Sequence, residues 1–218
     1  MKNFEKRVLT SLIVFPLSIF FILKGGYYIV SFLYAILILG NYEVFSAFKK
    51  KTTVIILDLI LVSSLLAILS LRNDTMSSFA LLIWVIIITV SSDVGGYIFG
   101  KVFKWKKLTK ISPNKTVSGV LGSFIFSLST VFILGFIIQY TTNLKSYHFI
   151  SLKYFLLAAA FSVAAQVGDL IISYFKRSEK VKDTGKILPG HGGIFDRIDG
   201  LMFAVILAFI FYNLDLFP

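Results

Sequence analysis

The sequence contains no cysteine and few charged residues: Asp, Glu, Lys and Arg together make up 15% of its 218 positions. Without cysteine, the chain has no disulfide bond, no zinc–thiolate site and no thiol nucleophile. Soluble domains carry about 25% charged residues. This chain is instead 57% hydrophobic, with a mean hydropathy of +0.86. The composition therefore indicates an integral membrane protein.

Acidic residues are half as frequent as basic ones, 11 against 22, which gives a net charge of +11. A basic chain often binds nucleic acid, but here the basic residues flank apolar runs and form no single basic or aromatic-interleaved surface. We therefore expect no nucleic-acid partner. The N-terminal stretch is charged and then apolar, as in a signal peptide. Because it lacks a small-x-small cleavage site and further apolar runs follow, we expect a retained signal anchor.

Seven long apolar runs are present, and about 20 apolar residues suffice for a helix to cross a bilayer. The runs lie near residues 8–24, 27–48, 53–71, 76–99, 117–140, 151–175 and 201–217. They predict an all-α, polytopic integral membrane protein with about seven transmembrane helices, or more if one run is split. With no internal repeat and no long linker, residues 1–218 are expected to form a single domain.

The basic residues are concentrated in alternate loops. If the N-terminus is cytoplasmic, nearly all of them lie on the cytoplasmic side; the exceptions are Lys24, Arg72, Lys145 and Lys153. The positive-inside rule therefore predicts a cytoplasmic N-terminus. The short loops and the lack of an organellar targeting segment favour a bacterial inner membrane. On the outer side, His148 is expected at the surface.

Four aspartates lie inside or beside the apolar runs. Asp93 and Asp169 come late in the fourth and sixth runs, and Asp196 and Asp199 open the seventh. Acidic residues in a membrane are costly and usually face a protein interior or a watery cavity. In the predicted topology all four lie at similar depth near the cytoplasmic surface. The sequence does not establish whether they also meet laterally.

Helical spacing groups some of these residues. One face of the sixth run carries Gln166, Asp169, Ser173 and Lys176. Asp196 and Asp199 are three residues apart, so both point the same way if the seventh helix begins by Phe195. Carboxylates in the first turn also stabilise a helix through its dipole, which leaves a purely structural role as the alternative.

Carboxylates beside many lysines and arginines indicate phosphate chemistry assisted by Mg²⁺, which usually takes one or two carboxylates plus substrate phosphates. The stretch "KLTKISPNKTVSG" from Lys107 to Gly119 adds donors for phosphate oxygens ahead of a helix N-terminus. These donors are Ser112, Asn114, Lys115 and Thr116. The stretch is not a Walker A loop. A simple turn followed by a helix cap is the alternative.

Three further polar residues stay open at this point. His191 in "PGHGG" is either a site-shaping or phosphate-binding residue or part of a sharp turn that returns the chain to the membrane. Glu43 in "GNYEVF" either joins the cytoplasmic site or pairs with the lysines at 49–51. Asp58 has no polar neighbour in its apolar run and is expected to be structural.

The stretch Ser173–Asp199, "SYFKRSEKVKDTGKILPGHGGIFDRID", resembles the signature of the phosphatidate cytidylyltransferases, or CDP-diacylglycerol synthases. "SPNKTVSG" and "SDVGGYIFGK" are similar to two further motifs of that family. The resemblance extends from the fourth run to the C-terminus, and more loosely to "NYEVF". It implies a polytopic, dimeric, Mg²⁺-dependent enzyme that transfers CMP from CTP to phosphatidate and releases pyrophosphate.

The resemblance also implies roles for individual residues. Asp169, Asp196 and Asp199 would lie near the metals and, with Lys176, form the catalytic group. Substrate-binding positions would be Asp93, Ser112, Asn114, Lys115, Thr116, Arg177, Lys182, Asp183, His191 and Arg197. The chain departs from the family pattern at Ser118, where Glu is frequent, and at Gly96, where Ala is common.

Other functions remain as alternatives. A CTP-dependent polyprenol kinase would transfer the γ-phosphoryl group, and a CDP-archaeol synthase would use another lipid. An ion transporter would use Asp93 and Asp169 as an ion path and needs polar residues along the whole span, which the outer halves of these runs lack. A catalytically silent scaffold leaves the clustered "KD", "HGG" and "DR" motifs unexplained.

Overall fold

The computed structural model describes residues 3–109, 111–142 and 150–217, and these residues form seven helices. The helices are α1 (Asn3–Lys24), α2 (Gly26–Ala47), α3 (Lys51–Asn73), α4 (Met76–Phe103), α5 (Val117–Thr142), α6 (Leu152–Ser178) and α7 (Phe195–Asn213). In the described ranges, β-structure is limited to two isolated bridges, Lys107 with Thr116 and Leu188 with Gly192. The prediction of an all-α fold is confirmed.

Five of these helices, α2 to α6, are long and apolar enough to cross a membrane, and Leu9–Lys24 of α1 is a shorter apolar helix. The protein is therefore a multi-pass membrane protein, while the count of seven spans and the orientation stay predictions. Most helix bounds lie within a few residues of the predicted runs. The exception is α7, which begins at Phe195 and not near residue 201. Lys2, Lys110, Lys145 and His148 lie outside the described residues.

The helices run alternately up and down, so the charged loops meet at one end of the bundle. There, Thr10 of α1 donates to the carbonyl of Pro189 at 2.9 Å, and Glu179 accepts from the backbone N–H of Lys50 at 3.3 Å. At the opposite end, the hydroxyls of Thr75 and Tyr212 lie 2.9 Å apart. We call the first end, with the loops at 48–50, 104–116 and 179–194, the polar end. The four aspartates therefore lie near one end, as their positions in the apolar runs predicted.

Small residues allow α4 and α5 to pack closely near the polar end. A Cβ atom at Gly95 would collide with the backbone of Gly122, and the reverse holds as well. Close backbone approach through small residues is a common way for helices to associate in membranes. Beside the glycines, Ser123 donates to the carbonyl of Ser92 at 2.8 Å. This contact holds the start of α5, and the loop before it, against α4.

Helix α7 is central to the bundle. It packs against α2, α3, α4 and α6. Its side chains Phe195, Met202, Ala204, Val205 and Ala208 are buried in the two hydrophobic clusters of the protein. Because so many helices contact α7, the rotation and depth of its first turn are set by the whole bundle.

Arg72 joins three helices at the opposite end. Its guanidinium donates to the carbonyls of Ile22 at 2.6 Å and Leu23 at 2.9 Å, and it lies 4.2 Å from the ring centroid of Phe79. These carbonyls belong to the last turn of α1, where helices leave carbonyl groups without an intrahelical partner. Arg72 therefore fixes the end of α1 to α3 and α4.

We expect Arg72→Leu to lower the melting temperature in detergent, because it removes the side-chain donor from two carbonyls of α1, the first partly buried and the second exposed. Arg72→Lys keeps the charge but not the forked geometry, so it should restore only part of the stability. Thermal unfolding of the three proteins checks this. A melting temperature unchanged in Arg72→Leu would contradict the anchoring role.

Candidate active site

A cavity of about 510 Å³ opens between α4, α5 and α6 near the polar end. Its wall combines polar residues from the "SPNKT" loop with apolar residues of α6 such as Val163 and Val167. Six of the predicted site residues line it, namely Asp93, Ser112, Asn114, Lys115, Thr116 and Asp169. The structure therefore brings together residues of α4, of the loop before α5 and of α6 that lie far apart in the sequence.

Lys115 and Asp169 form an ion pair in this cavity. The Nζ atom of Lys115 lies 2.7 Å from Oδ2 of Asp169 and donates to the carbonyl of Gln166 at 3.2 Å. The second oxygen of Asp169 accepts from Ser173 at 3.3 Å, one turn further along α6. Both side chains of the pair are partly exposed, at 24% and 37%. A cation and a carboxylate thus meet where solvent and a ligand have access.

The loop before α5 is shaped by its own backbone. The N–H of Leu108 donates to the carbonyl of Lys115 at 2.8 Å, and that of Val117 donates to Lys106 at 3.0 Å. Thr116 then accepts from the N–H of Gly119 at 3.0 Å, as a helix cap does. Thr116 therefore caps α5, while its predicted contact with a substrate stays a prediction. The same turn places Lys115 at the cavity.

Two more carboxylates lie close to Asp169. The negative charge of Asp169 acts on both Asp93 and Asp199. Oδ1 of Asp199 accepts from its neighbour's N–H, at Gly200, at 3.0 Å. Within the described residues, Asp93 has no hydrogen bond to its carboxylate. Three carboxylates, from α4, α6 and α7, thus interact with one another; the positive charges of Lys115 and Arg197 act on Asp93, and that of Lys176 acts on Asp199.

Lys176 and Asp196 form a second, buried ion pair. Nζ of Lys176 donates to Oδ1 of Asp196 at 2.9 Å, and their side chains are only 10% and 5% exposed. Oδ2 of Asp196 accepts from the N–H groups of Thr184 at 2.8 Å and Gly193 at 3.1 Å. Both oxygens of Asp196 are therefore engaged with the protein. These contacts give Asp196 a loop-holding role, and its predicted role as a metal ligand stays a prediction.

The "PGHGG" segment is a tight turn, as one of the two alternatives for His191 predicted. The N–H of His191 donates to the carbonyl of Leu188 at 2.9 Å, and Gly190 and Gly192 have φ of 78° and 89°, which favours glycine. The carbonyl of His191 accepts twice from Arg197, at 3.0 and 2.6 Å. Its Nε2 is hydrogen-bonded to Ser11 Oγ of α1 at 3.2 Å. In this arrangement His191 and Arg197 shape the loop.

Besides His191 and Arg197, three more predicted substrate-binding residues are absent from the cavity lining. Arg177 donates to the carbonyl of Val181 at 3.0 Å, and Lys182 and Asp183 are exposed on the loop after α6. None of the three lines the cavity in the described part of the chain. A contact between these residues and a substrate stays a prediction.

Ser118 and Gly96, the two positions that depart from the family pattern, both lie in closely packed surroundings. Ser118 is 2% exposed, and its hydroxyl lies 3.0 Å from that of Thr116, inside the cap of α5. A Cβ atom at Gly96 would lie 2.7 Å from Oγ of Ser123. Asp58 is half-buried in α3, away from the cavity lining.

Glu43 is the residue whose role the sequence left open, and the structure assigns it to the loop before α7. Its carboxylate is fully buried and accepts from the N–H groups of Ile194 and Phe195, both at 3.0 Å. Within the described residues it forms no ion pair with the lysines at 49–51. The motif "NYEVF" carried the only sequence signal for this role, and it did not name the partner.

The donor chemistry of the cavity fits a magnesium ion. Mg²⁺ prefers oxygen ligands and usually keeps waters and substrate phosphates beside one or two carboxylates. Asp93 and Asp169 line the cavity and supply such oxygens. Asp199 is absent from the lining, and its carboxylate interacts electrostatically with both of them. In the described ranges, no three acidic or histidine side chains lie close enough to enclose a metal by themselves. The geometry therefore suits a metal that shares its ligands with a phosphate substrate.

Residues 47–215 match the cytidylyltransferase family. Since this range covers most of the chain, the protein belongs to that family, and the resemblance stated for "PGHGG" and its neighbours is confirmed. The family match contains both ion pairs and all four aspartates described above.

Individual relatives carry a more specific name. The chain is 32% identical to the phosphatidate cytidylyltransferase of Rickettsia conorii over 215 residues, which are 95% of this chain and 90% of that protein. It is 38% identical to that of Bacillus subtilis and 42% identical to that of Staphylococcus haemolyticus. The matched parts cover 68% and 52% of this chain, and they span only 52% and 42% of those two relatives.

Proposed function

We propose that this protein transfers the cytidylyl group of CTP to phosphatidate, giving CDP-diacylglycerol and pyrophosphate for phospholipid synthesis. The observation that carries the proposal is the cavity between α4, α5 and α6, where Lys115 is held against Asp169 within the range that matches the family. The names of the relatives supply the reaction and its substrates.

In the proposed reaction, an oxygen of the lipid phosphate attacks the α-phosphorus of CTP. A new P–O bond forms while the bond to the bridging oxygen of the β-phosphate breaks, and pyrophosphate leaves with the electron pair. A phosphate monoester is largely ionised at neutral pH, so no strong general base is needed. Lys115 supplies positive charge at the phosphates, and Lys176, paired with Asp196, orients the start of α7.

Asp169 and Asp199, with Asp93 beside them, would hold Mg²⁺. When bound, the ion neutralises charge on the phosphate oxygens. The cavity wall matches two kinds of substrate, since the "SPNKT" loop offers donors to CTP and the apolar residues of α6 face the acyl chains. We further propose one membrane domain with its polar end in the cytoplasm of a bacterial cell, working as a homodimer.

The decisive assay uses purified protein in detergent with Mg²⁺, phosphatidate, and CTP labelled separately at the α- and γ-phosphates. We expect the α-label to enter the lipid with release of an equal amount of pyrophosphate, in a reaction that EDTA stops. Entry of the γ-label would instead identify a CTP-dependent lipid kinase. Preference for an ether-linked archaeal lipid phosphate would identify a CDP-archaeol synthase. No transfer of either label by folded protein would overturn the enzyme proposal.

A further inference from the structure

The loop between α6 and α7 is held by two carboxylates from different helices. Asp196 of α7 accepts from the N–H groups of Thr184 and Gly193. Glu43 of α2 accepts from the N–H groups of Ile194 and Phe195, and from the hydroxyl of Thr184 at 3.4 Å. Thr184 thus contacts both carboxylates, one through its backbone and one through its side chain. Together they tie the beginning of the loop to its end.

Glu43 is completely buried, at 0% exposed. No lysine or arginine among the described residues forms an ion pair with it. Its charge is instead balanced by the N-terminus of α7, where free N–H groups and the helix dipole favour a negative group. A buried carboxylate is costly unless its oxygens are bonded. Glu43 is therefore satisfied only when the loop and the first turn of α7 lie as they do here.

Two glycines let the loop backbone pass directly over this carboxylate. A Cβ atom at Gly185 or at Gly193 would collide with the side chain of Glu43. At Gly193 it would also collide with the hydroxyl of Thr184. Gly185 and Gly193 thus leave the space that the side chain of Glu43 occupies between them and α2.

We propose that Glu43 is a positioning residue of the active site. It fixes the first turn of α7, and through that turn it sets the Lys176–Asp196 pair and the position of Asp199. This inference rests on the proposed cytidylyltransferase function. Glu43 lies outside the range 47–215 that matches the family, so the family match assigns it no role.

The test is Glu43→Gln. The amide has the size of the carboxylate but turns one acceptor into a donor, so one of the N–H groups of Ile194 and Phe195 would face an NH₂ group. Residues that support a metal site through its ligands typically change activity by about 10–100-fold. We expect kcat to fall in that range while KM for CTP stays nearly unchanged, because the "SPNKT" loop is not disturbed.

The matched control is Gly40→Ala, one turn earlier on α2. Its added methyl group would lie 2.9 Å from the side chain of Leu61, so it disturbs the packing of α2 on α3 without touching the loop. If Glu43 only stabilises the fold, both variants should lose activity in proportion to their melting temperatures. The positioning role instead predicts a loss of kcat in Glu43→Gln well beyond that of Gly40→Ala at equal stability. Gly193→Ala, which crowds the carboxylate from the loop side, should reproduce the loss.

Amide hydrogen exchange of residues 184–195 gives a readout that does not depend on catalysis. Glu43→Gln should increase exchange in this loop and leave α4 and α5 unchanged, whereas Gly40→Ala should not. Suppose that Glu43→Gln exchanges faster but the wild type transfers no label. The anchoring of the loop by Glu43 would then stand, and the proposed function would be rejected. Unchanged exchange, or an unchanged kcat in folded Glu43→Gln and Gly193→Ala, would overturn the positioning role.

Discussion

Asp199→Asn is expected to abolish cytidylyl transfer while leaving the protein at least as stable as the wild type. Oδ1 of Asp199 accepts from the N–H of Gly200, and an asparagine oxygen can accept the same bond. The charges of Asp169 and Asp93 repel that of Asp199, so the substitution removes one of three neighbouring like charges. If Asp199 holds Mg²⁺ as proposed, the loss of its charge should lower turnover by more than about a hundredfold, beyond the range for groups that only support a ligand.

The control for this variant is Asp215→Asn, which removes the same charge just beyond the other end of α7. Its turnover should equal that of the wild type. The α-label assay and thermal unfolding in detergent, both measured over a range of Mg²⁺ concentrations, check the pair of variants. Normal turnover of folded Asp199→Asn would show that the assignment of Asp199 to the metal is wrong.

Lys115→Met should lower kcat/KM for CTP by about 10²–10³-fold, the range found when one preorganised donor is removed from an active site. The ammonium group lies at the cavity, where it contacts α6: it is 2.7 Å from Asp169 and donates to the carbonyl of Gln166. The backbone bonds that shape the loop involve no side-chain atom of Lys115. The turn should therefore survive the substitution.

Lys107→Met is the matched control, because Lys107 belongs to the same loop, is exposed and is absent from the cavity lining. The double variant Lys115→Met with Asp169→Asn separates two roles of Lys115. If the lysine binds phosphate, the double variant is less active than Asp169→Asn alone. Equal activity of the two would mean that Lys115 acts only by orienting Asp169, which would contradict the phosphate role.

The residues differ in how well their roles were predicted from the sequence. The helices could be predicted from the lengths of the apolar runs, because a helix of about 20 apolar residues is long enough to cross the hydrocarbon core of a bilayer. The placement of the four aspartates near one end followed from alternation of the helices. The bond between Asp169 and Ser173 is local to one helix face and is the kind of contact that spacing predicts.

The distinct roles of Asp196 and Asp199 did not follow from the sequence. Both are in the first turns of α7, but Asp196 is enclosed by Lys176 and two N–H groups while Asp199 lies beside Asp169. A spacing of three residues predicts that two side chains lie on the same side of a helix. It does not predict which residues of other helices they contact. The neighbours are set by how α7 packs against other helices.

The sequence alone determined that this is a helical membrane protein with a polar end and a cytidylyltransferase motif, because apolar length, charge placement and motif are properties of contiguous residues. Only the tertiary structure decided that Lys115 meets Asp169 across the cavity and that Glu43 anchors α7. Glu43 and Phe195 are 152 positions apart. Contacts over such separations depend on the lateral packing and rotation of several helices at once, and no local pattern in the chain encodes these.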